Sequence, residues 1–267
     1  MVQNKRLLNL PHPDELPDTD DTPVDNELHL LVPLLLSLML AQWWQKRQDW
    51  FFGVNMGIYH TTGENPHDAI VPDGFLCLGV ERTPSLDGRR NYVTWAENDV
   101  VPILVVEHLS PTYGGEYEWS STPRKVRAKM GDYARLGVLY YAIYNPRGYV
   151  PRKRREPFEV YRLEKGMYQR LPGDPVWMPE IGLGLGRDGG TFRDLHREWL
   201  FWYDESGQRS LTPDEVNQQE RQRAEQERQR AEREHQRAEQ EHQRAEQERQ
   251  RADRLAQLLR DRGIEIE

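Results

Sequence analysis

The stretch PILVVEHLS, Pro102–Ser110, decides the fold, and within it Ile103–Val106 is continuously apolar. Such a run suits a strand covered on both faces of a sheet. Glu107 then sets a carboxylate at the end of that buried run, where an ionised group is costly unless it is paired or bound to a metal. Upstream, Val71-Pro72-Asp73-Gly74 delivers a second carboxylate beside another strand-like run. Downstream, RKVRAKMGDY (Arg124–Tyr133) carries Val126, Met130 and Tyr133 at helical spacing, with Pro123 before and Gly137 after. That pattern predicts a helix over Pro123–Leu136, with Lys125 and Lys129 one turn apart on one face. Asp, Glu and Lys in this order are the smallest set able to hold a divalent cation against a phosphate and activate a water.

Working outward, a helix is expected from about Glu27 to Arg47, capped by Asp25 or Asn26. Strands are expected at Phe51–His60, Ile70–Leu78, Tyr92–Trp95, Ile103–Leu109 and Val138–Tyr144. Phe158–Leu163 and Met167–Leu171 read as a hairpin around Glu164-Lys165-Gly166, and the tryptophan-bearing segment Leu195–Tyr203 closes the body. Helix, strands, crossover helix and strand together indicate an α/β fold with a mixed sheet flanked by helices. GLGRDG, Gly184–Gly189, matches a dinucleotide-binding pattern by letters, but it opens no βαβ unit and reads as a loop.

The chain changes character near Pro213. Ala224, Ala231, Ala238, Ala245 and Ala252 recur every seven residues, and no aromatic residue follows Tyr203. A stable coiled coil needs two larger apolar residues per heptad, so the segment reads as a solvated charged helix, with a weak coiled coil and a homodimer as the alternative. The resulting division is residues 1–24 disordered or extended, 25–205 a folded body, 206–213 a linker and 214–262 the charged helix.

The 267 residues carry a formal charge of -8, to which residues 213–267 contribute 15 acidic and 12 basic side chains. An acidic body works against tight binding to nucleic acid through lysine and arginine alone. It is compatible with a carboxylate site that is acidic until a cation fills it. The single cysteine, Cys77, excludes an internal disulfide and suits a reducing cytoplasm. The longest apolar run, Leu30–Ala41, is too short for a membrane span, which needs roughly 18 residues. The N-terminal residues lack the apolar stretch of a signal peptide.

Each candidate also has a plain reading. An Asp after a proline is often a turn residue, and a helical lysine is often a solvated face. Glu97 and Asp99 read as loop residues, and Glu27 as a favourable acid at a helix start. The basic run Arg152-Lys153-Arg154-Arg155 is either a phosphate contact or a solubilising loop. His60, His67, His108 and His196 show no metal-ligand spacing.

Taken together, Pro72-Asp73, Glu107-x-Leu109, a helical lysine four residues before YARLGV (Tyr133–Val138) and YYAIYNP (Tyr140–Pro146) form an ordered set. With DWFFGVNMGIYH (Asp49–His60) and VPDGF (Val71–Phe75), this set resembles a restriction-endonuclease family of the PD-(D/E)XK nuclease superfamily over residues 25–205. The resemblance implies a restriction-endonuclease-like fold and Mg²⁺-dependent hydrolysis of DNA in the cytoplasm, with Mn²⁺ as a substitute. It makes Asp73 and Glu107 metal carboxylates, the His108 backbone carbonyl a third oxygen, and Lys129 the catalytic lysine. The superfamily's usual lysine position is Leu109 here, so Lys129, with Lys125 as substitute, takes that role from the following helix. The rival reading is a nuclease-like domain of weak or lost activity that acts as an interaction module through its charged helix.

Overall fold

The computed structural model describes residues 10–17, 26–62, 67–109, 115–120, 128–146 and 155–261. The apolar run beginning at Leu30 lies in helix α1 (Leu28–Trp43), whose first N–H, that of Leu28, donates to Asn26 Oδ1 at 2.9 Å. The expected strand Phe51–His60 is two strands, β1 (Trp50–Val54) and β2 (Ile58–Tyr59). Asn55 separates them with a left-handed φ of 45°, a conformation asparagine tolerates better than most residues. Next come β3 (Gly74–Leu78) and the short β4 (Tyr92–Val93), where a 3₁₀ turn at Thr94–Ala96 replaces the rest of the expected strand. Then follow β5 (Leu104–His108), α2 (Lys129–Leu136), β6 (Tyr140–Tyr144), β7 (Phe158–Glu164) and β8 (Met167–Leu171). The body ends with β9 (Val176–Met178), β10 (Leu183–Phe192) and β11 (Leu195–Tyr203).

Six strands form one mixed sheet in the order β1-β3-β5-β6-β7-β8. Its single parallel pair is β5 with β6, which needs a crossover, and α2 lies in that crossover. Both faces are covered, which explains why β5 is apolar without alternation. Leu104 and Val106 face α1 and the β9–β11 sheet; Val105 and Leu109 face α2 with Phe75, Tyr133, Tyr141 and Ile143. Trp202 Nε1 donates to Leu36 O at 2.9 Å, tying β11 to α1 across this core.

A further reading is corrected. Gly184–Gly189 is the middle of β10, paired residue by residue with β11, and not a loop. Its glycines answer to packing: a Cβ on Gly186 would lie 2.6 Å from Pro175, so only glycine lets that neighbouring backbone pass.

The start of α2 has no side-chain cap. Lys129 N–H instead donates to Gly115 O at 3.2 Å, and Gly131 N–H to Glu118 O at 3.1 Å, so the segment Gly115–Glu118 satisfies donors that a helix start leaves open. Gly131 permits this approach, since a Cβ there would sit 2.2 Å from the Trp119 carbonyl oxygen. Gly137, at φ 93°, ends the helix as expected. Because the clash is with backbone, Gly131→Ala should destabilise the body by about 1–3 kcal/mol in urea unfolding, the usual range for overpacking.

The chain forms two units, Met1–Pro213 and Asp214–Glu267. Within the first, the connecting residues are partly built in: Ser210 and Thr212 are buried, and Thr212 Oγ1 donates to Thr191 O at 2.6 Å. Of the N-terminal residues expected to be extended, 10–17 are described; they make a 3₁₀ turn at Pro13–Glu15 and bury Leu16 against Tyr59 and Val93. Helix α3 (Pro213–Asp261) runs 49 residues with Leu255 and Leu258 exposed. It carries polar pairs one turn apart, Arg230 with Glu234 at 3.2 Å and Gln229 with Glu225 at 2.9 Å. Among the described residues, no helix is long and apolar enough to cross a membrane.

Candidate active site

Glu107 is only 1% exposed, and both of its oxygens are engaged from α2. Lys129 Nζ donates to Oε2 at 2.9 Å, and Tyr133 Oη donates to Oε1 at 2.5 Å. Lys129 and Tyr133 are four residues apart, so they stand on one helix face and grip the carboxylate from two sides. Lys129 Nζ also lies 3.5 Å from Glu116 Oε1, and the Glu116 carbonyl accepts from Tyr141 Oη at 3.0 Å.

Burial pushes the Glu107 carboxyl up to about 7; Lys129 and the Tyr133 hydrogen bond pull against this, while Asp73 and Glu116 reinforce it. Desolvation alone would lower the Lys129 ammonium. The carboxylates of Glu107, Glu116 and Asp73 outweigh it and hold the group above the ordinary lysine range.

Asp73 immediately precedes β3. Gly74 pairs with Val106 in the antiparallel β3–β5 ladder, so one further step of the register sets Asp73 across from Glu107. Its Oδ2 accepts from His108 N–H at 2.6 Å, and its Oδ1 is 2.9 Å from His29 Nδ1. The His29 ring meets His108 edge to face with centroids 4.7 Å apart. Pro33, one turn further along α1, packs on Gly74, where a Cβ would come within 2.7 Å. That close approach seats the start of α1 beside Asp73.

The structure therefore brings Asp73, Glu107 and Lys129 together. Sequence reasoning missed three of their partners. His29 was detectable as the one ionisable residue of a mostly apolar helix, in its first turn. Tyr133 was detectable as the residue one turn beyond Lys129. Glu116 carried no local signal. Lys125 and the run Arg152-Lys153-Arg154 lie outside the described residues. Glu97 makes a partly buried ion pair with Arg89 at 2.7 Å and is not among the groups joined to these acids. A cavity of about 590 Å³, lined by residues such as Ser85, Arg89, Asn91 and Glu97, shares no residue with the constellation.

The donor set fits a hard divalent cation in kind and charge. Asp73, Glu107 and Glu116 offer carboxylate oxygens, offset at close range by Lys129 beside Glu107 and Glu116 and by the His29 ring beside Asp73. Among the described residues no three His, Cys, Asp or Glu side chains are already gathered at metal-binding distance. A cation would thus take the place of internal donors on these acids, with water completing its shell, as Mg²⁺ commonly requires.

A family model described as "Putative restriction endonuclease" (Uma2) matches residues 21–188, which include Asp73, Glu107, Lys129 and every strand of the six-stranded sheet. No curated protein and no solved structure matches the chain. With a mixed sheet, the crossover helix and this match over well more than half of its length, the chain belongs to the Uma2 restriction-endonuclease-like family.

Proposed function

We propose that the protein is a divalent-metal-dependent nuclease that hydrolyses phosphodiester bonds of DNA. The observation that carries this reading is Lys129 Nζ at 2.9 Å from the buried Glu107 carboxylate, with Asp73 across the ladder from it. Asp73, Glu107 and the His108 backbone carbonyl would hold Mg²⁺ or Mn²⁺. When bound, such an ion supplies charge neutralisation and an acidified water. Lys129, displaced from Glu107, serves the non-bridging oxygens of the phosphate, where negative charge grows as the water–phosphorus bond forms and one phosphorus–oxygen ester bond breaks. Tyr133 keeps Glu107 Oε1 oriented by its hydrogen bond. Glu116 holds the ammonium near the site while Glu107 changes partner.

A second reading is favoured by the same closeness: both oxygens of each acid already have internal donors, as in a nuclease fold that has lost turnover and acts as a binding module. The decisive test incubates the full chain with supercoiled plasmid and with RNA, in Mg²⁺, in Mn²⁺ and in chelator. Metal titration by calorimetry runs in parallel. Nicking of the plasmid that needs metal is the expected result. Absence of both heat and nicking would give the second reading preference.

A further inference from the structure

A second charged cluster lies two strands along the same sheet face. Glu107 pairs with Ile143 of β6, and Ile143 pairs with Glu159 of β7, so the two acids share a face roughly 10 Å apart, twice the inter-strand spacing. Glu159 is buried, accepts from Tyr117 Oη at 2.7 Å, and lies 3.6 Å from Arg170 Nε. Tyr117 follows Glu116 in the chain. Consecutive residues of one segment therefore touch the Lys129 cluster and the Glu159 cluster.

Arg155 lies on the Tyr117 ring, its guanidinium carbon 3.7 Å from the ring centroid. The close partners of Glu159 are Tyr117 and Arg170. Among the described residues Arg155 makes no hydrogen bond or ion pair, and its Nε is buried without an acceptor. Because Nε is enclosed, the two Nη groups of the stacked guanidinium are the edge left to meet an oxyanion, and two parallel N–H donors there suit a bidentate one. The stack also reduces the freedom that such a side chain loses when it binds.

We propose that Arg155 binds a backbone phosphodiester of the nucleic-acid strand adjacent to the one at Glu107 and Lys129, with Tyr117 as its platform. This rests on the nuclease reading above. It also accounts for how a chain of net negative charge makes a local cationic contact beside an acidic centre.

The test uses the full chain carrying Glu107→Gln, so that bound strand is not cut, and a fluorescein-labelled DNA duplex. Affinity is read by anisotropy over a series of salt concentrations. Adding Arg155→Ala should weaken binding about tenfold at low salt and reduce the slope of log affinity against log salt by about 1, the loss of one phosphate contact. Arg155→Lys should restore the slope while recovering only part of the affinity, because the charge returns without the fork. An unchanged slope in Arg155→Ala, whether or not affinity falls, would overturn the inference and leave the nuclease reading standing. Failure of the Glu107→Gln parent itself to bind duplex would overturn both.

Discussion

Asp73→Ala and Glu107→Ala should each reduce metal-dependent cleavage by roughly 10³-fold or more, beyond the ~10–100-fold typical of removing a group that only supports a metal ligand. Each change removes an oxygen donor from the set proposed to hold the cation. The two should differ in what else they disturb. Asp73→Ala leaves His108 N–H and His29 without their carboxylate partner, so the packing of α1 on the sheet suffers with the chemistry. Glu107→Ala opens space under α2 and leaves Tyr133 Oη without its acceptor, but Lys129 keeps Glu116. Glu107→Gln fills that space and isolates the loss of charge. Comparison of plasmid nicking, metal affinity and thermal melting across these variants separates the roles. Wild-type turnover in either acid variant would end the assignment.

Cleavage at subsaturating metal should rise with pH by about tenfold per unit below neutrality and level off above it. The carboxyl of Glu107 is raised to about 7, so below that value it is mostly protonated and cannot offer an anionic oxygen; above it, it is ionised. Lys129→Ala should do two things at once. Turnover should drop by roughly 10²–10³-fold, the scale for losing a group that stabilises transition-state charge. The acidic limb should also move to higher pH, because the ammonium is what pulls the Glu107 carboxyl down. Glu116→Gln should move the limb the opposite way, since Glu116 pushes that carboxyl up. The limb shift reports the Lys129–Glu107 ion pair alone, so the catalytic role is read from the turnover at the pH plateau, where Glu107 is ionised in both proteins: a plateau rate equal to wild type would remove Lys129 from the chemistry. Rate measurements across pH at fixed metal distinguish these outcomes.

The sequence carried the elements whose periodicity is local. An apolar run ending in one acid, as in Ile103–Glu107, leaves a buried strand with a charge that must be matched, since no other arrangement avoids the desolvation cost. The i,i+4 placement of Lys129 and Tyr133 follows from the helical repeat, and the seven-residue alanine repeat from Ala224 to Ala252 reads directly as a charged helix. Tertiary structure decided what depends on approach between distant segments. Gly131 against the Trp119 carbonyl and the Gly115–Glu118 carbonyls on the first N–H groups of α2 determine that the lysine face turns toward Glu107. His29 reaches Asp73 across 44 residues of chain because Pro33 lies on Gly74. Pro175 crossing Gly186 made a strand of a segment whose glycines read as a loop. Local spacing is written by the geometry of one helix or strand, whereas these contacts are written by which backbones come within van der Waals distance, and that is set only when the layers pack.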